Sequence, residues 1–161
     1  MPNYKSHLIG GSVFYAVILV IITYLGFAFI FESFNFVAAF AAILLGSLFP
    51  DIDTFSKGQR LFLLLLLPLF IAAIFFKDVV FLTILFVAAI FPIFAKHRGI
   101  THNPWFTVFI SALALVATNF YFPIYLQQIK IIDLFFVLGV FSHLILDFGP
   151  ILFVRKILFL K

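Results

Sequence analysis

No cysteine occurs in the 161-residue chain, which excludes disulfides, thiolate metal ligands and cysteine nucleophiles together; a metal here has only nitrogen and oxygen donors to bind. Charge is almost as scarce, since Asp, Glu, Lys and Arg make up only 10% of the residues. No low-complexity linker, charge run or internal repeat interrupts the chain, so nothing marks a second domain. A dense basic face interleaved with aromatics is also missing, so a nucleic-acid partner is not expected despite a net charge of +4.

What is present is hydrophobicity. Apolar residues make up 66% of the chain, 27 are Phe, and mean hydropathy is +1.32. Apolar runs follow one another almost without a break, far beyond what a water-soluble core of this size uses, and predict an all-α polytopic membrane protein forming one domain over residues 1–161. The spans predicted are Leu8 to Phe31, Phe36 to Phe49, Leu61 to Phe76, Val79 to Ala95, Trp105 to Leu126 and Ile131 to Leu146. The second, at about 1.5 Å per residue, covers roughly 21 Å of a hydrocarbon layer about 30 Å thick. The second and third segments therefore either span, with tilting or bilayer thinning, or form a partly buried re-entrant pair. Pro50, Gly58 and Gly99 punctuate the runs, Asn103-Pro104 predicts an N-cap followed by proline at the first helical position, and Gly149-Pro150 closes the last span. The first run follows Met-Pro-Asn-Tyr-Lys-Ser-His with no small-residue cleavage site, so it is expected to stay as an anchor.

Orientation follows from the basic residues. In a six-span arrangement Lys5, Lys57, Arg60, Lys96, Arg98, Arg155, Lys156 and Lys161 share one side, while Lys77 and Lys130 take the other, which predicts both termini in the cytoplasm of a prokaryotic inner membrane.

All four histidines and three of the six acidic residues fall in four short clusters: His7, Asp51-Ile52-Asp53, His97 to His102, and His143 to Asp147. Imidazoles and carboxylates are costly in so apolar a chain unless compensated, and a shared metal ion compensates them. The six-span arrangement puts every cluster on the cytoplasmic side, with Glu32, Asp78 and Asp133 on the other.

Spacing gives each cluster physical content. His143 and Asp147, four apart on a predicted helix, share a face and can hold one ion or bridge two. Asp51 and Asp53 share a face only if the segment after Pro50 is extended or turned. His97 and His102 are poorly spaced for a helix, but Gly99 permits a tight loop that carries both rings to one point. Each cluster also has a plainer use. An intramembrane His-x-x-x-Asp also serves as a structural hydrogen-bonded pair, an Asp after Pro as a cap or turn residue, and His7 beside Lys5 as a solvated interface residue. Arg98 serves as a positive-inside flank, and Thr101 and Ser142 as hydroxyls bonded to backbone. The plainer uses do not explain why no histidine lies outside the clusters.

Gly46-Ser-Leu-Phe-Pro-Asp-Ile-Asp53, Gly58-Gln-Arg-Leu61, His97-Arg-Gly-Ile-Thr-His102 and Gly139-Val-Phe-Ser-His-Leu-Ile-Leu-Asp147, with a histidine near the N-terminus, closely resemble the signatures of the inner-membrane-associated metal-dependent hydrolases, a bacterial and archaeal family also described as LexA-binding or YdjM-like. The resemblance runs in order from His7 to Asp147, and it implies a multi-pass helical protein with metal-dependent hydrolase activity. It also implies a distant similarity to zinc-dependent phospholipase C and the related single-strand nucleases. Thr54 and Asn103 depart from the pattern, since some relatives carry histidine and serine there.

With that resemblance, the residues predict a hydrolase of a phosphoester in a lipid or lipid-linked substrate, reached sideways from the membrane. His97, His102, His143, Asp147 and Asp51 are the expected core ligands, with His7 and Asp53 completing or bridging. Asp53, where not a ligand, takes the proton of the attacking water, while Arg98 grips phosphate with help from Thr101. One to three ions are expected, zinc ahead of manganese or iron, and magnesium or calcium disfavoured by the four imidazoles. Amide or carboxyl ester cleavage fits the same chemistry. Two other classes stay open: a metal carrier or sensor, and a regulatory membrane protein with a protein partner. The small residues Ala38, Ala39, Ala41, Ala42 and Gly46 permit close helix contact within the bundle or between copies.

Overall fold

A computed structural model describes residues 3–26, 33–53, 55–79, 82, 85, 86, 90 and 99–158, with 33–35 described as backbone alone. Among these residues every regular element is helical. In chain order they are α1 (Tyr4–Tyr24), α2 (Ser33–Leu48), a 3-10 turn (Phe49–Asp53), α3 (Lys57–Phe75), a second 3-10 turn (Ile100–His102), α4 (Pro104–Tyr121), a third (Pro123–Tyr125), α5 (Leu126–Phe148) and α6 (Pro150–Ile157). Among the described residues five segments are long and apolar enough to cross a membrane: α1, Phe36–Asp53, α3, α4 and Pro123–Phe148. The chain is an all-α polytopic membrane protein. The expected span Val79 to Ala95 lies for the most part outside the described residues.

The helix starts follow from local chemistry. Asn3 caps α1 by accepting from the Lys5 and Ser6 amides at 3.0 and 3.1 Å, so this helix begins four residues before the predicted span and takes His7 into its first turns. Ser56 caps α3 by accepting from the Gln59 amide at 3.0 Å. Asn103 caps α4 at the Trp105 amide, 2.9 Å away, with Pro104 next, as the Asn-Pro pair predicts. Gly149, at φ +76°, ends α5, but Pro150 then opens α6, which the sequence reading did not anticipate. The second span is not short: a 3-10 turn continues α2 to Asp53, giving Phe36–Asp53 enough length to cross.

At the centre, α2 packs against α5 at backbone contact. A methyl group on Gly46 would overlap the Phe136 carbonyl, and one on Gly139 would overlap the Ile43 carbonyl, so only glycine permits this approach. Next to it, Gly11 lets α1 settle on Ser47, where a Cβ would meet the Ser47 side chain at 3.1 Å. Ala39, Ala42, Ile43 and Phe135 form the dry core of this junction. The outer face of α1 shows Ile9, Val13, Val17 and Val20 exposed at helical spacing, as lipid contact requires.

Candidate metal centre

The packing that needs the glycines also assembles the polar residues. The starts of α1, α3 and α4 and the ends of α2 and α5 share one end of the bundle. His7 enters from α1, Asp51 from the turn after α2, His102 from the turn before α4, and His143 and Asp147 from the last turns of α5. His7 is 1% exposed, His102 2% and His143 0%, so His7 is not a solvated interface residue.

Six approaches define the cluster. His7 Nε2 lies 3.9 Å from Asp51 Oδ2 and 3.5 Å from Asp147 Oδ1. His102 Nε2 lies 3.9 Å from Asp51 Oδ1 and 3.7 Å from Asp147 Oδ2. His143 Nε2 lies 3.6 Å from Asp51 Oδ1 and 3.5 Å from Asp147 Oδ2. Direct imidazolium–carboxylate hydrogen bonds would draw these atoms to about 2.7–2.9 Å. The observed range instead suits donors arranged around a common ion, since bonds of about 2.0–2.2 Å put neighbouring tetrahedral ligands about 3.4 Å apart. Donor atoms of Asp51, His102, His143 and Asp147 all lie within 4.8 Å of one another.

Tautomers sharpen the picture. His143 Nδ1 lies 2.8 Å from the Ser47 carbonyl oxygen, which can only accept, so Nδ1 donates there and, in the neutral ring, Nε2 turns a lone pair toward the carboxylates. That buried Nε2 has no hydrogen-bond partner among the described residues. Thr101 donates its hydroxyl to Asp53 Oδ2 at 3.2 Å, leaving Thr101 Oγ1 as the acceptor for His102 Nδ1 at 3.3 Å. In its neutral form His102 therefore also presents the lone pair of Nε2 to the cluster. His7 stacks on His143, with ring centroids 3.7 Å apart and planes 13° from parallel. Two carboxylates meeting imidazole lone pairs across a buried centre repel unless a cation lies among them, so the residues fit a divalent metal.

Of the residues singled out in the sequence, His7, Asp51, His102, His143 and Asp147 come together. Asp53 is not in the four-donor group and meets Thr101 instead. The Phe49–Asp53 turn is 3-10 helical, so residues two apart point to different sides; Asp51 and Asp53 do not pair as an extended segment would have allowed. Ser142 bonds the Gly139 carbonyl at 2.8 Å, the ordinary backbone role. His97, Arg98 and Thr54 lie outside the described residues. Ser47, whose carbonyl orients His143, was not foreseen. A small Gly-Ser step in one string and a glycine four residues before His143 in another were the available signal.

Two clefts flank the cluster. One, of about 520 Å³, is lined by Asn3, Lys5, Ser56, Lys57 and Gly58, where a Gly58 Cβ would lie 4.0 Å from the Asp51 Cβ. The other, of about 280 Å³, lies among His102, Asn103, Trp105 and Lys156. The Lys156 ammonium sits 3.4 Å above the centre of the Phe148 ring, and burial pushes its pKa down. Away from this end, Ser111 of α4 donates to Asp133 of α5 within the bundle, so Asp133 lies inside a span, where the sequence reading had placed it at the far side.

Fold and site together define a multi-pass membrane protein with a His/Asp cluster at one end of its helices. The family model of the YdjM inner membrane proteins matches residues 1–150, and the chain belongs to that family. It is a multi-pass protein of the inner membrane. Neither a curated protein nor a solved structure matches it.

Proposed function

We propose that this protein is a metal-dependent hydrolase of a phosphoester in a lipid or lipid-linked substrate, working at the cytoplasmic leaflet. One observation carries the proposal: a centre in which the carboxylates of Asp51 and Asp147 face the Nε2 atoms of imidazoles oriented by Ser47 and Thr101. Zinc suits this set of imidazole and carboxylate donors best, ahead of manganese or iron. When bound, such an ion lowers the pKa of its water toward about 7 and so makes hydroxide available at neutral pH.

The chain's own residues then divide the remaining work. Asp51, His102, His143 and Asp147 hold the ion, and the buried Ile52 and Leu144 beside them limit access of bulk water. Asp53 acts through Thr101, keeping the His102 ring turned toward the centre. Lys5 and Lys57 in the larger cleft and Lys156 in the smaller offer cations to a phosphoryl group next to the ligands. By sequence position, His97 is a further ligand and Arg98 a bidentate phosphate contact. Lys5, Lys57, Arg60, Arg155 and Lys156 lie at the cluster's end of the helices, with Lys77 and Lys130 at the other, which favours a cytoplasmic site.

The test is hydrolysis by the purified, zinc-loaded full-length protein of phospholipids and of a bis-aryl phosphodiester. Release should need metal and should vanish in His143→Ala. Zinc movement across proteoliposomes without product release would identify a carrier instead. Cleavage of an amide or carboxyl ester alone would reassign the bond.

A further inference from the structure

We propose that the centre takes two metal ions, bridged by both carboxylates, and that His7 belongs to the second; the inference rests on the metal-dependent reading above. Each carboxylate divides its oxygens in the same way. Asp51 turns Oδ1 toward His102 and His143, at 3.9 and 3.6 Å, and Oδ2 toward His7, at 3.9 Å. Asp147 turns Oδ2 toward His102 and His143, at 3.7 and 3.5 Å, and Oδ1 toward His7, at 3.5 Å. A carboxylate bound to one ion through a single oxygen would offer that oxygen to all three imidazoles. Two aspartates from different elements dividing alike is the arrangement carboxylates shared between two ions would adopt.

The first position is the four-donor group of Asp51, His102, His143 and Asp147. The second has His7 Nε2, Asp51 Oδ2 and Asp147 Oδ1. His7 stands outside the four-donor group yet is 1% exposed, carried there by the contact of Gly11 with Ser47 and held by its stack on His143. Such burial is costly for an imidazole whose Nδ1 has no partner among the described residues, and a metal bond at Nε2 offsets that cost. Among the described residues the second position has three donors, which leaves it room for water or substrate and makes it the position presented to the ester. Two dications against two carboxylates leave a net charge of about +2, suited to an anionic phosphoryl group.

The experiment uses the metal-free full-length chain in detergent, equilibrated with Mn²⁺ alone, with bound ions counted by equilibrium dialysis and their coupling read by electron paramagnetic resonance. Two equivalents and a spin-coupled signal are expected. His7→Phe keeps a ring to stack on His143 and removes the nitrogen donor; it should bind one equivalent and show an isolated-ion signal. One equivalent or none in the unaltered chain, two uncoupled ions, or a folded His7→Phe that still holds a coupled pair would overturn the proposal. The measurement on the unaltered chain decides even if the variant fails to fold. A coupled pair in a protein that cleaves no ester leaves this inference standing and ends the hydrolase reading, while hydrolysis by a single-ion centre does the reverse.

Discussion

Replacing Gly46 by alanine should damage the metal centre without touching a ligand. The added methyl would overlap the Phe136 carbonyl oxygen and lie 2.9 Å from its carbon and 3.1 Å from the Val140 amide nitrogen. Both obstacles are backbone, so no side chain can swing aside. Carbon–oxygen contacts settle at about 3.3 Å or more, so α2 and α5 must separate by on the order of 1 Å. The same displacement stretches the Ser47–His143 hydrogen bond from 2.8 Å to about 3.8 Å, beyond bonding range. Overpacking costs about 1–3 kcal/mol, and a buried donor left unpaired costs about 1–3 kcal/mol. The two share one movement and do not simply add. Loss of a bond that orients a ligand typically weakens metal binding about 10–100-fold. Competition with a zinc chelator and thermal unfolding in the same detergent read the two effects. A Gly46→Ala protein with unchanged zinc affinity and unchanged melting would refute the link between the helix crossing and the site.

Three other outcomes follow from the structure. Thr101→Val should weaken metal binding about 10-fold or more, because the Asp53–Thr101–His102 chain is cut, while Thr101→Ser should restore it; equal affinities for the two variants would rule the chain out. Asp133→Leu should lower stability by about 0.6–1.7 kcal/mol through loss of the Ser111 bond and leave metal content intact, as denaturant titration in micelles would show. The absence of cysteine makes single-cysteine labelling clean: Lys77→Cys should react with an impermeant thiol reagent in intact cells and Lys5→Cys should not, and the opposite pattern would place the cluster outside.

The membrane class, most helix boundaries and the five clustered residues were legible because they rest on local signals: long apolar runs, the Asn103-Pro104 cap, and the i, i+4 spacing of His143 and Asp147. His7 was the least legible, since its burial depends on Gly11 seating α1 against Ser47, a contact between helices that the spacing within either string cannot show. Asp51 and Asp53 were expected to share a face only in an extended or turned segment, and that condition was not legible because extended and 3-10 segments have the same sequence punctuation. The tautomer of His143 depends on a backbone carbonyl 96 positions away in the chain, and no motif encodes it.

The most direct measurement is the transition-metal content of the full-length protein after purification and mild dialysis, compared with His143→Ala and Asp147→Ala. Retained metal in the unaltered chain, lost from both variants, is the expected result. A chain that emerges metal-free and takes up no zinc, or variants that hold as much as the parent, would contradict a metal centre at this end of the bundle.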